Sequence, residues 1–550
     1  MRKRPMTNYT GYGSRSQATP QTEPIPGSNQ VPNSAGGYSF AVDDMTRLNR
    51  FLILGSTSNT YYTTARKLTR ENLDAVERLL KAGRGREVVD TIAKISDEGR
   101  APSNDPALFA LARCCAANDV ETKRAAYDAL PKVARTGTHL LHFMEYEKQF
   151  RGRGRMHRRA IRGWYNDKQP SRLAYQVLKY QSRDGWSQRD VLRLARPKPV
   201  SPEHNAVYHW VTKGWSNRLD SGEDATPGTV PSEEALSMIW AFERAKHITD
   251  PNEIADLIIK YNLPREAVPT ESLKSVKVWE ALLLDMPLEA MTRNLATMTK
   301  HGVLVPMGEM TARVIGRLHN GEAIQKARLH PIKLLAALIT YQSGKSVRGD
   351  ATWTPLPQII DALNDAFYLS FKYVEPSNKR IVLALDVSGS MDSGVVGGVP
   401  GLTPRVGSAA MALVTAATEP NYTIMAFSHQ LVPAPISPRQ RLDDVLRVVD
   451  AIPMGGTDCA LPMIWATDNN IQADAFVVYT DSETWAGFSH PVQALAGYRR
   501  KTGIHAKLVV VGMVSSGFTI ADPDDAGMLD IVGFDTATPQ VLSSFIAGEL

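Results

Sequence analysis

The sequence predicts a multi-domain protein, an all-α solenoid followed by an α/β doubly wound sheet domain. Three observations predict it. The 550 residues exceed what one hydrophobic core organises. Between 38 and 374, apolar residues recur at helical spacing with no competing strand alternation. Between 379 and 550, short β-branched apolar runs alternate with helical stretches. Apolar content of 43% and charged content of 22% fit a globular, non-membrane chain. No apolar run approaches the ~18 residues of a membrane-spanning helix. The basic start MRKRP lacks an apolar stretch behind it, so no secretory signal is expected. Cys114, Cys115 and Cys459 have neither zinc spacing nor a disulfide framework. They read as reduced core residues of a cytoplasmic protein.

Residues 1–37 are rich in Gly, Pro, Ser, Thr, Asn and Gln, and a disordered tail is expected. Its Arg2, Lys3, Arg4, Arg15, Tyr9 and Tyr12 could touch RNA, although an inert tail is the commoner meaning. From 38 to 374, Leu73, Val76, Leu79 and Leu80 share one helical face. Val88, Val89, Ile92 and Ile95 do so after the breaks at Gly83 and Gly85, as do Val278, Trp279, Leu282 and Leu283. Many short amphipathic helices without a strict period read as stacked helical pairs.

Charge is concentrated in this region. Residues 131–200 hold 17 Lys or Arg against 5 Asp or Glu, an excess of 12 in a chain of net charge +6. The segment RGRGRMHRRAIRGWYN sets Arg151, Arg153, Arg155, Arg158, Arg159 and Arg162 beside Trp164 and Tyr165. The next unit adds Lys179, Arg183, Arg189, Arg193, Arg196 and Lys198. So dense and regional an excess points to a polyanion, since phosphates give sequence-tolerant affinity and aromatics stack bases. The competing reading is a solvated helix face. Trp164, Trp186 and Trp215 are individually better explained as core residues.

Beyond 379, strands are predicted at Ile381–Asp386, Tyr422–Phe427, Ala475–Thr480 and 507–513. Helices are predicted at 406–417, 442–451, 460–466 and 491–501. The acidic stretch with Asp522, Asp524, Asp525, Asp530 and Asp535 lacks EF-hand spacing and reads as a polar surface loop. The first strand ends on Asp386, with Ser388 and Ser390 following. One carboxylate and two hydroxyls at a strand's carboxyl end are hard oxygen ligands suited to Mg²⁺. Alone, Ser-Gly-Ser after a strand is more often a plain turn. Two further stretches accompany it: IPMGGTD with Thr457, and AFVVYTD ending on Asp481.

Taken together these three stretches resemble the metal-ion-dependent adhesion site of a von Willebrand factor A domain. The resemblance implies that Asp386, Ser388, Ser390, Thr457 and Asp481 hold a divalent cation, with a vacant position for a partner's carboxylate. No activated nucleophile or general base accompanies them, so a binding site rather than an enzyme is expected.

The wider chain resembles the Ro autoantigen family, the TROVE-module proteins that bind Y RNA, in a bacterial or phage-type form. The stretches that carry it include MTRLNRFLILGS, LFALARCC, KYQSRDGWS, VWEALLLDMPL, RNLATMTKHGVLVP, GGTDCALPMIWA and FTIADPDDAGMLD. The resemblance implies that 38–374 form a HEAT-like helical ring with a positively charged hole. In the family, single-stranded 3′ ends of misfolded noncoding RNAs enter the hole, and Y RNA binds the outer basic surface. Bacterial relatives cooperate with a 3′-to-5′ exoribonuclease. Lys179 and Arg183 match basic positions of the family's Y RNA surface, and Arg196 stands where the family has a histidine. A ring closed within one chain fits a monomer. The main alternative is a metal-dependent protein-interaction module that recruits a partner such as the exoribonuclease. An intrinsic nuclease is the weakest reading, because a two-metal carboxylate cluster is missing.

Overall fold

The computed structural model describes residues 18–55, 63, 65–150, 154–215, 233–346, 350–371, 374–396, 402–438 and 440–550. Arg151 and Arg153 lie outside them.

Helices fill the region from Asp44–Leu54 to Pro357–Leu369 and stack by proximity in sequence. Gly85–Glu98 packs on Val120–Val133, Asp105–Cys115 on Gly137–Phe150, and Val120–Val133 on Arg155–Asn166. Several helices begin where the sequence supplies a stop for their free N–H groups. Asp43 accepts from Met45 and Thr46, Asp119 from Glu121 and Thr122, and Pro170, Pro202, Pro251 and Pro331 occupy first turns. The predicted stripes are inward: Val76, Leu79, Val88, Val89, Ile92, Ile95, Val278 and Trp279 are all buried.

The solenoid returns to its own beginning. Arg328 Nη2 meets Asp97 Oδ1 at 3.2 Å, and His330 Nε2 lies 2.9 Å from the Arg100 carbonyl. His330 Nδ1 accepts from the Ile332 amide, so Nε2 carries the proton that reaches Arg100. The Arg100 side chain continues into the second domain, where its Nε donates to both oxygens of Asp535 at 2.9 and 3.1 Å.

Strands β1 (Gln30–Pro32), β2 (Tyr38–Ala41), β3 (Ser182–Arg183) and β4 (Trp186–Ser187) precede the main sheet. That sheet holds β5 (Ile381–Asp386), β6 (Tyr422–Phe427), β7 (Leu431–Pro433), β8 (Ala475–Thr480), β9 (Lys507–Gly512) and β11 (Met528–Val532), with β10 (Phe518–Thr519) elsewhere. Its order is β11-β9-β8-β5-β6-β7, parallel except for the edge strand β7. Both faces of β5 are covered. Ile381, Leu383 and Leu385 join the apolar cluster that continues into the helical ring, while Val382 and Ala384 join a second cluster on the far face. The chain leaves β5 toward β6 and later returns to its other side as β8, so the strand order reverses between β5 and β8. Open α/β sheets bind ligands at that crevice.

Two expectations need correction. Residues 18–37 are ordered, not a disordered tail: β1 pairs with β2, and β2 pairs with β10 from the far end of the chain. Composition misjudged this segment because its order comes from polar side chains fitted into another domain rather than from an apolar core of its own. The acidic stretch is a surface loop only in part: Asp522, Asp524 and Asp525 lie on such a loop, and Asp530 and Asp535 do not. Asp530 lies on β11 and takes a bidentate contact from Arg50 at 2.6 and 2.8 Å, and Asp525 pairs with Arg499 at 2.6 Å. Those carboxylates dock the helical ring and lock the sheet edge.

Burial holds His330 and His139 neutral, each with its pKa pushed down to about 3. Below pH ~6.5 the unfolded chain takes up these protons and the folded chain does not. Stability should therefore fall as pH drops from about 6.5, each group costing up to about 1.4 kcal/mol per pH unit. Melting curves from pH 7.5 to 5 check this, and His330→Ala should lower the melting temperature at neutral pH while flattening the acid dependence.

Candidate functional site

The crevice between β5 and β8 gathers the five predicted metal residues. Asp386 is the last residue of β5, and Asp481 directly follows β8. Asp386 is fully buried: Oδ1 accepts from the Ser388 amide at 2.9 Å and Oδ2 from the Thr480 hydroxyl at 2.6 Å. The Ser388 and Ser390 hydroxyls stand 3.1 Å apart. Asp481 accepts from the Glu483 amide at 3.0 Å and from the Ser390 hydroxyl. Thr457 is buried, and its carbonyl accepts from the Trp485 and Ala486 amides at 3.0 and 2.9 Å. These bonds tie the Gly-rich loop to the loop after β8.

Gly455 and Gly456 let neighbouring side chains close in on the Gly-rich loop. A Cβ at Gly455 would lie 1.9 Å from His429 Nδ1, and one at Gly456 would lie 2.9 Å from the Trp485 ring. The amide of Gly389 reaches the Gly455 carbonyl at 3.4 Å, so the two site loops touch.

The electrostatics fit a cation. Burial first, and the Asp481 charge second, push the Asp386 carboxyl up from its ordinary range; burial likewise raises Asp481. Glu483, also buried, is pushed up to about 8 by burial and by Asp481. Next to them Ser482 is strained at φ 65°, and its buried hydroxyl has no hydrogen-bond partner among the described residues. Two crowded carboxylates, paired serine hydroxyls and a threonine are the donors a hard divalent cation such as Mg²⁺ prefers. Asp386, Ser388, Ser390, Thr457 and Asp481 would hold it, and it would supply a positive centre for an anionic group. Two members of this neighbourhood are not predicted from the sequence. Thr480 carries no signal beyond membership of an apolar strand. Glu483 carries one, an acid two residues after Asp481.

The basic surface lies on the helical ring. In the helix Arg155–Asn166, His157, Ile161, Trp164 and Tyr165 face the core, and Arg155, Arg158, Arg159 and Arg162 are exposed. Trp164 donates to the Ala134 carbonyl and Tyr165 to Gln188, so both are structural residues. The Asp-Gly sequence at 184–185 turns with both φ positive, at 51° and 77°. That closes the hairpin β3–β4 and leaves Arg183 exposed. Exposed Arg189 and Arg193 share the helix Gln188–Ala195, which ends at exposed Arg196 in left-handed conformation, φ 48°. Among the described residues, none of these arginines has a carboxylate within 4.0 Å. Lys179 is different: its side chain is 10% exposed and its Nζ lies 3.9 Å from Glu266, near the Tyr175 and Tyr180 rings. It lies in a cleft, apart from the exposed arginines. No described helix is long and apolar enough to cross a membrane.

Comparison with known proteins agrees with both halves. The model of the TROVE domain matches residues 31–379, and that of the Ro60 vWA domain matches 380–546. The RNA-binding protein RO60 of Deinococcus radiodurans is 42% identical over 533 residues, covering 96% of this chain and 98% of that protein. The RNA-binding protein RO60 of Caenorhabditis elegans is 35% identical, covering 95% of this chain and 90% of that one. The crystal structure of the Deinococcus radiodurans RO (RSR) protein superposes with a TM-score of 0.68 and 41% identity, over 92% of this chain and all of that one.

Adding Mg²⁺ to metal-stripped protein should raise its melting temperature. Asp386→Asn should abolish that rise without lowering the metal-free melting temperature, because it removes one of two buried like charges. A calorimetric scan with and without Mg²⁺ decides it; an unchanged Mg²⁺ response in the variant would remove Asp386 from the site.

Proposed function

We propose, from the premise that this chain belongs to the TROVE family of Ro60 proteins, that it is a non-catalytic RNA-binding protein of small-RNA quality control. Y-like RNA binds the outer arginine surface, and single-stranded 3′ ends of misfolded noncoding RNAs enter the hole of the ring. RNA held this way is presented for maturation or decay, with a 3′-to-5′ exoribonuclease as the acting partner. The observation that carries the reading is the row Arg155, Arg158, Arg159 and Arg162. These side chains are exposed on one helix whose opposite face is core, with no acid at ion-pair distance among the described residues. Like charges held so close repel one another unless phosphates neutralise them. The rigid helix fixes their spacing, and the Arg183 hairpin extends the surface.

A second reading, compatible with the first, makes the metal loops a protein-docking site. What favours it is three large apolar side chains exposed on the loops that carry Thr457 and follow Asp481: Met454 (55%), Trp485 (40%) and Phe488 (50%). RNA would then sit on the ring and a partner carboxylate on the cation.

Changing Arg155, Arg158, Arg159 and Arg162 together to Ala should weaken RNA binding about equally for different sequences. The slope of log affinity against log salt should fall by roughly 0.7–0.9 for each phosphate that is no longer neutralised. Fluorescence anisotropy at several salt concentrations checks this, with a structured hairpin and a single strand as probes. Wild-type affinity and slope in the variant would refute the assignment of this helix.

A further inference from the structure

The metal loops are held from outside by the chain's own beginning. Gln21 is fully buried between them and uses every polar atom it has. Its side-chain nitrogen donates to Asp458 Oδ1 and to the Ser489 carbonyl, both at 2.8 Å. Its side-chain oxygen accepts from the Thr484 hydroxyl and from the Gly487 amide at 3.2 Å. Its own amide donates to the Gly487 carbonyl at 3.0 Å, and its carbonyl accepts from Tyr38 at 2.9 Å. Asp458 adjoins Thr457, and the hydroxyl of Thr484 also reaches the Thr457 carbonyl at 3.2 Å. One glutamine thus bridges the loop of Thr457 and the loop after Asp481.

The same strap makes three more contacts with the second loop. Asn33 Nδ2 donates to the Thr484 carbonyl at 2.8 Å, and the Ser39 hydroxyl donates to the Ser482 carbonyl at 3.0 Å. The Ser34 amide donates to Glu483 Oε2 at 2.7 Å. Glu483 is the third acid of this neighbourhood, and the strap amide engages its carboxylate.

We propose that residues 18–41 form a strap whose Gln21, Asn33 and Ser34 are positioning residues for the cation, holding the Thr457 and Asp481 loops in their binding arrangement. The proposal rests on the metal-site reading above. Because these loops are buried, a missing bridge leaves polar groups unpaired, and the loops relax to satisfy them. Cation affinity should therefore depend on residues that lie more than 430 positions in sequence from the loop groups they hold. Coupling of this kind is reciprocal, so the cation should in turn tighten the strap.

The test uses the full chain and Mn²⁺ or Mg²⁺ as the probe. Isothermal titration should give a Kd about tenfold or more weaker for Gln21→Ala and Asn33→Ala than for wild type, within the range of ordinary coupling. RNA binding should be unchanged in both variants, which separates loop positioning from general unfolding. In the wild-type chain, hydrogen exchange at the Gln21, Ser34 and Tyr38 amides should slow on adding the cation, a measurement that needs no variant to fold. Equal Kd values in variants and wild type, or exchange indifferent to the cation, overturn the strap proposal while the metal site stands. No cation binding by wild type, with the Asp481→Ala control identical to it, overturns the site reading and the strap proposal with it.

Discussion

Asp386 and Asp481 end adjacent parallel strands inside the protein, where water cannot solvate them and each raises the cost of charging the other. Most of the surrounding architecture answers that constraint. The Ser388 amide and the Thr480 hydroxyl take up the oxygens of Asp386, and Ser390 and the Glu483 amide those of Asp481. Glycines at 455 and 456 allow the threonine loop to close against His429 and Trp485. The packing is tight because the sheet places strand ends, but loops must converge to make a site. A cation would compensate a carboxylate pair so buried, and the hydroxyls beside it are donors that a hard cation prefers.

The helical ring works on a different principle. Its core is mainly apolar and continuous, with the arginines of the helix Arg155–Asn166 on the solvent side and His157 of the same helix buried against Glu147. The ring closes through one buried neutral histidine and one ion pair, and the same junction passes through Arg100 to Asp535 of the sheet domain. Arg50, almost wholly buried, makes a second tie through Asp530 and the carbonyls of Ser516 and Phe518. Arginines thus have two settings here. Arg155, Arg158, Arg159 and Arg162 face solvent with no carboxylate at ion-pair distance among the described residues, whereas Arg50 and Arg100, facing the sheet domain, satisfy acids near the end of the sequence.

The legibility of the sequence follows from the range of the interactions involved. Every strand predicted from the sequence is present, because a buried parallel strand is an unbroken apolar run. The short strands β7, β10 and β11 are not predicted, since each is defined by a partner rather than by its own pattern. Asp386 and Asp481 are legible as strand-end carboxylates because the apolar runs that precede them mark β5 and β8. Lys179 and Arg183 look alike as sequence, four residues apart, yet a helix end puts one in a cleft beside Glu266 and a hairpin puts the other in solvent.

By itself the sequence determined the local facts: where helices start, which strands are buried, where charge accumulates, and which oxygen donors stand at strand ends. These depend on neighbours within a few residues, and periodicity records them. Tertiary structure alone decided that residues 18–37 are ordered, that Gln21 bridges the loop of Thr457 and the loop after Asp481, that the acids at 530 and 535 dock the ring, and that Arg328 and His330 close it. The physical reason is common to all of them. A polar side chain carries no pattern that names its partner, and its burial becomes favourable only once a distant segment supplies the matching hydrogen bonds.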